Sequence, residues 1–505
     1  MAYRLGAFSG VGLDEALLRL VIDEHTRTAR PRLDRLWTYF RNPLRPVGPA
    51  NAPKIAADRA GWYTLGQEVG LPHRVTGRPP HNPDADDRVK PRREVVIEND
   101  IAWRVQSMID FMFGRPLVIR STAKDHALRK DIDHALDLAW DASGGIALMQ
   151  DAALLGHVFG HVDLAVRYHP DAPPDRAASV EIIDPRRGVP VLDPDDYRRI
   201  LAYIVHFNRD LNRAEGPRWW ERAASGVLGN PDRPRRGRAA VTRIIAAHAA
   251  QTYEDDRLVL QEDLAWTRGQ LPVVHVQNLS QPFAWEGLGE VEPLIPLQDE
   301  LNTRLSDRAC RVTMQSFKMY LAKGIDGFEN VGVAPGIVWS TDNPDASVEA
   351  FGGDTHNPSE DAHIAQVRDA MDKVSSVPPL AGGVVQGRIG NLSSATALRV
   401  TLMGLLAKTA RKRVTYGRGI EAASRLILKA LHHSGALRTR DQDRGLRLEW
   451  PDPVPVAEHE RVLAAEGKAR LGVPNERVLE ELGYPSAGVG ADPRVSDQQE
   501  VNHAG

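Results

Sequence analysis

The segment that most constrains the fold runs from Asn357 to His433, where two helical patterns enclose a glycine-rich loop. Asn357 is a good N-cap, and Pro358 and Glu360 at the first and third positions after it predict a capping box. The first helix ends before a double proline, and a long helix rich in Lys and Arg follows the loop. Glycine tolerates several backbone conformations, so the arrangement predicts a movable contact held between two stiff rods.

A second helical rod lies ahead of this segment. Apolar residues recur at helical spacing from Val291 to Val312, with Pro296 in the first turn, and the pattern continues to about Met314. About 25 residues at 1.5 Å each make a rod roughly 35–40 Å long. Residues 316–355 then alternate and turn like a small β-rich module. Two rods that bracket such a module predict a stalk with the module at its far end.

The first half of the chain has mixed character, and the predicted fold class is α+β. Helical spacing covers 12–41 and the stretch from Ile101 to Met112, and another helix is expected over 127–140. Strand-like runs follow, among them Val241–Ala249 and Pro272–Gln277, so a mostly antiparallel sheet is expected. Beyond the basic helix, a short helical pair is predicted, and the final residues are expected to be disordered.

Composition excludes several classes of protein. The chain is 26% charged with a formal net charge of −3, whereas a general nucleic-acid coat would be distinctly basic. The single cysteine, Cys310, rules out an intramolecular disulfide and a multi-cysteine zinc site. Neither a signal peptide nor a run of eighteen apolar residues is present, so a cytoplasmic product with no membrane span is predicted.

Four segments together resemble the portal proteins of tailed double-stranded DNA phages, of the siphophage type. They are Glu98–Ile119, Leu271–Asn278, Leu288–Val312 and the loop-and-helix segment 357–433. Each is a packing motif of moderate specificity, but their order over most of the chain, from about Leu33 to Tyr484, is much more specific. The helical element Ala469–Tyr484 is similar to the end of that family's chains.

The resemblance implies a ring, usually of twelve subunits, at one capsid vertex, through which DNA is packaged and ejected. The implied partners are double-stranded DNA, bound without sequence specificity, the terminase large subunit, a head–tail adaptor, and the major capsid and scaffolding proteins. The protein would lie in the virion, and in the host cytoplasm during assembly, with no cofactor, no metal and no catalytic residue. The implied segments are a wing (1–288), two stem helices (289–315 and 357–377), a clip (316–356), a tunnel loop (378–392), a long wing helix with the segment after it (393–449), and a crown with its tail (450–505).

The glycine-rich loop is the first candidate site, because its amides and one arginine could touch DNA phosphates without reading sequence. Tight phosphate binding would stall translocation, so weak contacts are expected. An ordinary surface loop is the alternative. The residues predicted to face DNA are Gly382, Gly383, Gln386, Gly387, Arg388 and Asn391.

The two rods and the basic helix carry charge that could act in a ring. Acids repeated around a channel would repel phosphate and keep DNA from sticking. The alternative is that they pair with Arg304, Arg308, Arg368 and Lys373 on adjacent rods, and both could hold together. On the basic helix, contact with a neighbouring subunit is favoured over contact with DNA, and a solvated amphipathic face is the alternative. The acids are Asp299, Glu300, Asp307, Asp361, Asp369 and Asp372, and the basic contacts are Arg399, Arg411, Lys412 and Arg413.

Other features favour different interpretations. His157 and His161 would share a helix face beside Asp163, but the H-E-x-x-H glutamate is absent, so a structural pair is favoured over a metal site. An insert at 212–240 interleaves arginine with Trp219-Trp220, which could bind nucleic acid or form a flexible outer loop; neither it nor the loop at 72–93 matches the resemblance. No phosphate-binding G-x-x-x-x-G-K-[ST] motif occurs. A nucleic-acid-processing enzyme and another structural component of the head–tail junction remain the alternatives.

Overall fold

A computed structural model describes residues 3–46, 63–76, 94–210, 238–316, 319–323, 343–351, 357–382, 395–454 and 458–482. Helices and antiparallel strands alternate along the chain, so the predicted α+β class is confirmed. No helix in these ranges is both long and apolar enough to cross a membrane.

The first element is nearly continuous helix, as the sequence predicts for 12–41. Helix α1 (Glu15–Glu24) leads through a π-helical turn into α2 (Arg30–Arg41). Asn42 ends α2 in the left-handed conformation, with φ of 40°. A short hairpin of β1 (Leu44–Pro46) and β2 (Tyr63–Leu65) follows, and a one-turn helix covers His73–Thr76.

The central part of the fold is a three-stranded antiparallel sheet with helices against it. Its strand order is β11 (Val273–Gln277), β4 (His161–Tyr168) and β5 (Ala178–Ile183). Three helices of the first half, α3 to α5, share one large core with this sheet and with the long helix described below. Their bounds are Asp100–Phe113, His126–Ala142 and Gly145–Phe159.

A five-stranded antiparallel sheet forms a second core with α1. The expected single strand Val241–Ala249 is in fact two strands, because a turn at 246–248 reverses the chain. The order is β10 (Arg257–Asp263), β9 (Ala249–Glu254), β8 (Arg238–Ile245), β7 (Ile200–Asp210) and β6 (Gly188–Leu192). Phe8, Leu18 and Tyr253 fill the space between this sheet and the N-terminal helix.

The two predicted rods are helices α6 (Ile295–Ser316) and α7 (Pro358–Ser375), and they pack against each other. Pro296 is the second residue of α6, as expected for the first turn. Between them in sequence, β12 (Met319–Lys323) pairs antiparallel with β13 (Ser347–Phe351).

The predicted capping box at the start of α7 is wrong. Asn357 is the N-cap residue, but its side chain makes no capping bond and instead accepts a hydrogen bond from Ser359 Oγ at 2.8 Å. The Glu360 carboxylate pairs with Arg311 of α6 rather than turning back to the cap. Glu360 therefore binds a charged partner on the neighbouring helix instead of the backbone amide of Asn357.

The basic segment after the glycine-rich loop forms α8 (Ala395–Thr401) and the long α9 (Met403–Ser434). At 1.5 Å per residue, the 32 residues of α9 span about 48 Å. One face of α9 lies in the main core, with Ile420, Leu428 and Leu431 at most 4% exposed. Beyond it, β14 (Leu446–Glu449) pairs with β3 (Val118–Ser121), and α10 (Glu458–Arg470) and α11 (Asn475–Leu482) form the predicted helical pair.

Candidate functional site at the base of the glycine-rich loop

Most of the predicted loop site lies outside the described residues. Gly383, Gln386, Gly387, Arg388 and Asn391 all fall there, and so does most of the arginine-rich insert, at 211–237. Gly382 is described and ends a short 3-10 turn that begins at Pro379. The candidate site is therefore built from the structure at the two ends of the loop.

A buried arginine of α3 holds the chain where it leaves α7 for the loop. Arg104 is 2% exposed, and its guanidinium donates to the carbonyl oxygen of Val377 at 2.8 Å and to Ser375 Oγ at 3.1 Å. It also pairs with Asp372 at 2.7 Å and with Asp100 at 2.9 Å. Burial raises the pKa of the Asp372 carboxyl, and Arg104 acts in the opposite direction. This set of contacts is called the Arg104 clamp.

The backbone turns sharply inside the clamp. Ser376 has a φ of 61°, in the left-handed region that non-glycine residues seldom adopt. Ser375 Oγ also accepts from the Val377 amide at 3.1 Å, which stabilises the turn from within. The chain is thus held at Ser375 and Val377 where it leaves α7.

A second set of buried charges joins the same turn to the long helix. Glu290, just ahead of the first rod, lies 2.7 Å from the ammonium group of Lys408 and 2.7 Å from that of Lys412. Lys408 also donates to the carbonyl oxygen of Ser375 at 2.8 Å. Lys408 therefore joins the end of α7 to the Glu290 carboxylate, and the charges of Glu290, Lys408 and Lys412 are called the Glu290 node.

The opposite charges of the node act against the effect of burial on each other's pKa. Burial alone would raise the pKa of Glu290, but Lys412 and Lys408 lower it to about 2. Burial lowers the pKa of Lys412 to about 8, against the opposing effect of Glu290. Each partner of the pair thus favours the charged form of the other, and removal of one would leave the other buried without its partner.

The structure corrects the prediction for Lys412, which was expected to contact a neighbouring subunit or DNA. Its side chain is 2% exposed, inside the subunit, with Met108 Sδ 3.3 Å from the ammonium nitrogen. Arg413 packs over Trp450, 5.1 Å from the ring centroid, and Arg399 pairs with Asp452. Arg411 is exposed, and no partner for it occurs among the described residues.

Five of the six predicted channel acids have partners within the subunit. Asp299 accepts a hydrogen bond from the Tyr39 hydroxyl at 2.8 Å, and burial raises the pKa of its carboxyl. The other contacts are Glu300 with Arg304 at 2.7 Å and His363 at 3.0 Å, Asp307 with Arg74 at 2.7 Å, Asp361 with Arg308 at 3.2 Å, and Asp372 with Arg104. Asp369 is exposed and has no ion-pair partner in the described part of the chain. The predicted pairing with basic residues of the rods holds for Glu300 and Asp307, which contact Arg304, and for Asp361, which contacts Arg308. Asp299 and Asp372 instead contact residues outside the rods, and Arg368 pairs with Glu98.

The histidine pair does not share a helix face. His157 lies in the last turn of α5, Gly160 reverses the chain with a φ of 94°, and His161 begins β4. His161 and His275 instead lie on either side of Asp163. The Asp163 carboxylate lies 2.8 Å from His275 Nδ1 and accepts a hydrogen bond from the Tyr203 hydroxyl at 2.7 Å. Nowhere in the described ranges do three His, Cys, Asp or Glu side chains gather as metal ligands. The cluster is a buried polar network that joins the two sheets.

Sequence reasoning missed Arg104 and Glu290. Arg104 interrupts the apolar stripe of α3, between Ile101 and Val105, and a charged residue at such a position signals a buried partner. Glu290 has no comparable signal, because its two lysines follow more than a hundred residues later.

Comparisons with known proteins cover most of the chain. The sequence profile of the family described as "Phage portal protein, SPP1 Gp6-like" matches residues 85–483, which include the Arg104 clamp, the Glu290 node and both rods. No curated protein matches the chain in sequence.

Matches among solved structures include chains of gene transfer agent particles. One, from "Virion of native gene transfer agent (GTA) particle", is 13% identical with a TM-score of 0.43, and the match covers 76% of this chain and 90% of that one. A second, from the neck of an empty particle computed with C6 symmetry, is 13% identical with a TM-score of 0.41 over 77% and 90%. A third, from the neck of the native particle computed with C12 symmetry, is 15% identical with a TM-score of 0.39 over 76% and 90%.

Proposed function

The chain belongs to the SPP1 Gp6-like family of phage portal proteins, and from this premise we propose how its parts act. It is a portal protein, a structural subunit of a homo-oligomeric ring in a virion. We propose that twelve copies form the ring at one capsid vertex and that DNA enters and leaves through its centre. The family match over 85–483 is the single observation that carries this proposal.

We propose that the helices and sheets take the family's structural roles. The packing of α6 against α7 suits two stem helices, and the β12–β13 hairpin between them in sequence suits a clip. The proposed segments are the wing (1–288), the stem helices (289–315 and 357–377), the clip (316–356), the tunnel loop (378–392), the long wing helix with the segment after it (393–449), and the crown (450–505).

The tunnel loop is proposed to line the channel and touch the duplex, with Arg388 at the phosphates. The Arg104 clamp supports this role, because it holds Val377, the residue directly before the loop, at a defined place beside α3. The Glu290 node links that place to the long helix on the loop's other side. A loop fixed at its base and rich in glycine can follow DNA without binding it tightly.

The stem charges and the basic helix are proposed to meet DNA and neighbouring subunits only at their exposed members. Asp369 is the stem acid left to face the channel and repel phosphate, since the other five have partners within the subunit. Arg411 is the basic residue left to contact a neighbouring subunit. Arg399 stays a proposed contact through the part of its side chain that Asp452 leaves exposed.

Portal proteins are structural, and we propose that other proteins supply the energy and the remaining contacts. Because the chain has no phosphate-binding motif, the terminase large subunit would hydrolyse ATP. A head–tail adaptor, the major capsid protein and scaffolding protein are the other proposed partners, first in the host cytoplasm and then in the virion. The alternative of a nucleic-acid-processing enzyme gains no support from His157 and His161, which lie on different elements, and most of the arginine-rich insert on which it also depends lies outside the described residues.

Electron microscopy of purified full-length protein tests the ring. Negatively stained particles are expected to show closed rings with a central hole, and classification would count the subunits. Sedimentation velocity on the same sample gives an independent mass. A protein that stays monomeric in both measurements at micromolar concentration contradicts the proposal.

A packaging assay tests the loop separately. Arg388→Ala should leave the rings intact by microscopy but lower the amount of DNA packaged into proheads by terminase, because one phosphate contact per subunit is lost. Lys130→Ala, an exposed change on the proposed wing, is the matched control and should package normally. Normal packaging by Arg388→Ala rings would contradict DNA contact at this residue.

A further inference from the structure

A groove of about 970 Å³ is lined by residues outside the clamp and the node. One wall is strand β11 (Val273–Gln277), a second is α9 at Thr415 and Arg418, and a third is the chain that leads into β7 at 197–201. The described parts of the proposed stem, clip and tunnel loop do not line it. The groove therefore has no assigned role in the passage of DNA.

Strand β11 presents a free edge to this groove. It pairs antiparallel with β4 on one side and is the last strand of its sheet. The amide of Val166 donates to the Pro272 carbonyl and that of Asn278 to the Gly160 carbonyl, so alternate residues of the ladder face β4. The backbone groups of Val273, His275 and Gln277 therefore point away from β4, and within the described ranges no hydrogen bond reaches them.

This edge is shaped like one half of a strand pair. Three amides and three carbonyls recur at every second residue, about 6.6–6.8 Å apart. The residues that carry them are partly or fully buried, and buried backbone groups without partners are costly. An extended chain laid along the edge would satisfy all six groups at once.

The charge that lines the groove has one sign. Arg198, Arg199 and Arg418 line it, and no Asp or Glu occurs among its described lining residues. Arg199 pairs with Asp193 at 3.2 Å, but neither Arg198 nor Arg418 has an ion-pair partner in the described part of the chain. Two uncompensated guanidinium groups on opposite walls favour an occupant that carries carboxylates.

An exposed aromatic stands at the groove's mouth. Phe283 lies between the lining residues Pro282 and Ala284 and is 90% exposed. Its φ of 60° is an outlier for an aromatic residue, and its ring lies 6.3 Å from that of Tyr197. Backbone strain that holds an apolar ring in water points to a contact surface.

We propose that this groove binds an extended acidic segment of a partner protein, which adds a strand to the free edge of β11. Strand addition supplies backbone hydrogen bonds for affinity, and the flanking arginines select acidic side chains. Phosphate would compensate the arginines but could not donate to the three β11 carbonyls. The chemistry of the edge thus favours a peptide over a nucleic acid.

Fluorescence anisotropy with a labelled octapeptide of alternating Glu and Thr tests the proposal on the full-length protein. Arg418→Gln should weaken binding about tenfold, because a charge-assisted contact is lost. Arg425→Gln is the matched control, seven residues further along α9 and outside the groove, and should bind within twofold of the unchanged protein. Equal loss in both variants would overturn the assignment of the site.

N-methylated versions of the peptide separate strand addition from charge attraction. Methylation of every second amide should abolish binding in one of the two possible series and leave it within threefold in the other, because only one edge of the peptide faces β11. Bound peptide should also slow hydrogen exchange at the amides of Val273, His275 and Gln277. Equal binding by both methylated series, or displacement of the peptide by an oligothymidylate octamer at equal concentration, would overturn the proposal.

Discussion

At the scale of single residues, Glu290 lies between two lysines of α9 and is 3% exposed. Its carboxylate offsets two charges that the fold has removed from water. Glu290→Gln should therefore lower the free energy of unfolding by about 3–5 kcal/mol, the usual cost of breaking a buried pair. Urea unfolding of full-length protein, followed by circular dichroism, measures the change.

The control for Glu290 is an acid within α9 that pairs with an arginine of the same helix. Glu421 lies 3.5 Å from Arg425 at the surface, so Glu421→Gln should change the unfolding free energy by less than about 1 kcal/mol. Similar losses in the two variants would show that the Glu290 node is not the stronger contact.

Protonation of His157 should contribute measurably to the pH dependence of the free energy of unfolding. Burial first, and Lys412 next, lower the pKa of its imidazole from 6.5 to about 3. Between these two values the unfolded chain binds more protons than the folded one, so this histidine makes stability fall as the pH falls. The contribution of His157 to the change in unfolding free energy approaches about 1.4 kcal/mol per pH unit.

The substitution His157→Gln removes the titrating group and so tests this contribution to the pH dependence of stability. Urea unfolding at pH 5.5 and at pH 4.5 should show a smaller loss of stability on acidification in the variant than in the unchanged protein. The difference between the two losses should be about 1.4 kcal/mol. Parallel losses would mean that His157 binds a proton in the folded state as readily as in the unfolded one.

At the scale of elements, the contact between α9 and β11 depends on a glycine. A Cβ on Gly419 would lie 2.3 Å from Val276 Cγ2, so helix and strand approach more closely than any side chain permits. Gly419→Ala should therefore destabilise the fold by about 1–3 kcal/mol, although alanine is the better helix former. Thermal unfolding measures whether the variant is less stable than the unchanged protein.

Gly404, on the same helix, has room for a side chain. The nearest atom to a Cβ on Gly404 is Ser376 Cβ at 3.7 Å, an ordinary contact distance. Gly404→Ala should raise the unfolding free energy by up to about 1 kcal/mol, because alanine loses less backbone entropy in a helix. A loss of stability in both variants would contradict close packing as the cause at Gly419.

At the scale of the whole molecule, a ring with a single rotation axis joins two different surfaces of each subunit. Arg411 is exposed on α9 with no partner among the described residues, and we expect it to meet an acid of the next subunit. Arg411→Glu should lower the fraction of rings in sedimentation velocity and leave the unfolding of the subunit unchanged. Arg425→Gln is the control, and equal ring fractions for Arg411→Glu and the unchanged protein would contradict the contact.

Prediction from sequence worked best where local pattern decides structure. The two rods, the antiparallel strands and the final helical pair were expected from periodicity, and Pro296 lies in the first turn of α6 as predicted. The failures involve competition with distant residues. The capping box at Asn357 is absent because Arg311 of another helix attracts Glu360, and the histidine pair is divided by the turn at Gly160.

By itself, the sequence determined the order of the elements, the glycine-rich loop between two helices, and the absence of a phosphate-binding lysine, because spacing and residue type are local properties. Only the tertiary structure decided which basic residues of α9 face water. Lys412 and Arg411 are neighbours of the same charge, yet one is buried against Glu290 and the other is exposed. Adjacent residues of a helix point about 100° apart around its axis, so one of them can face the core and the other the solvent. The buried partner comes from a segment that no periodicity links to α9.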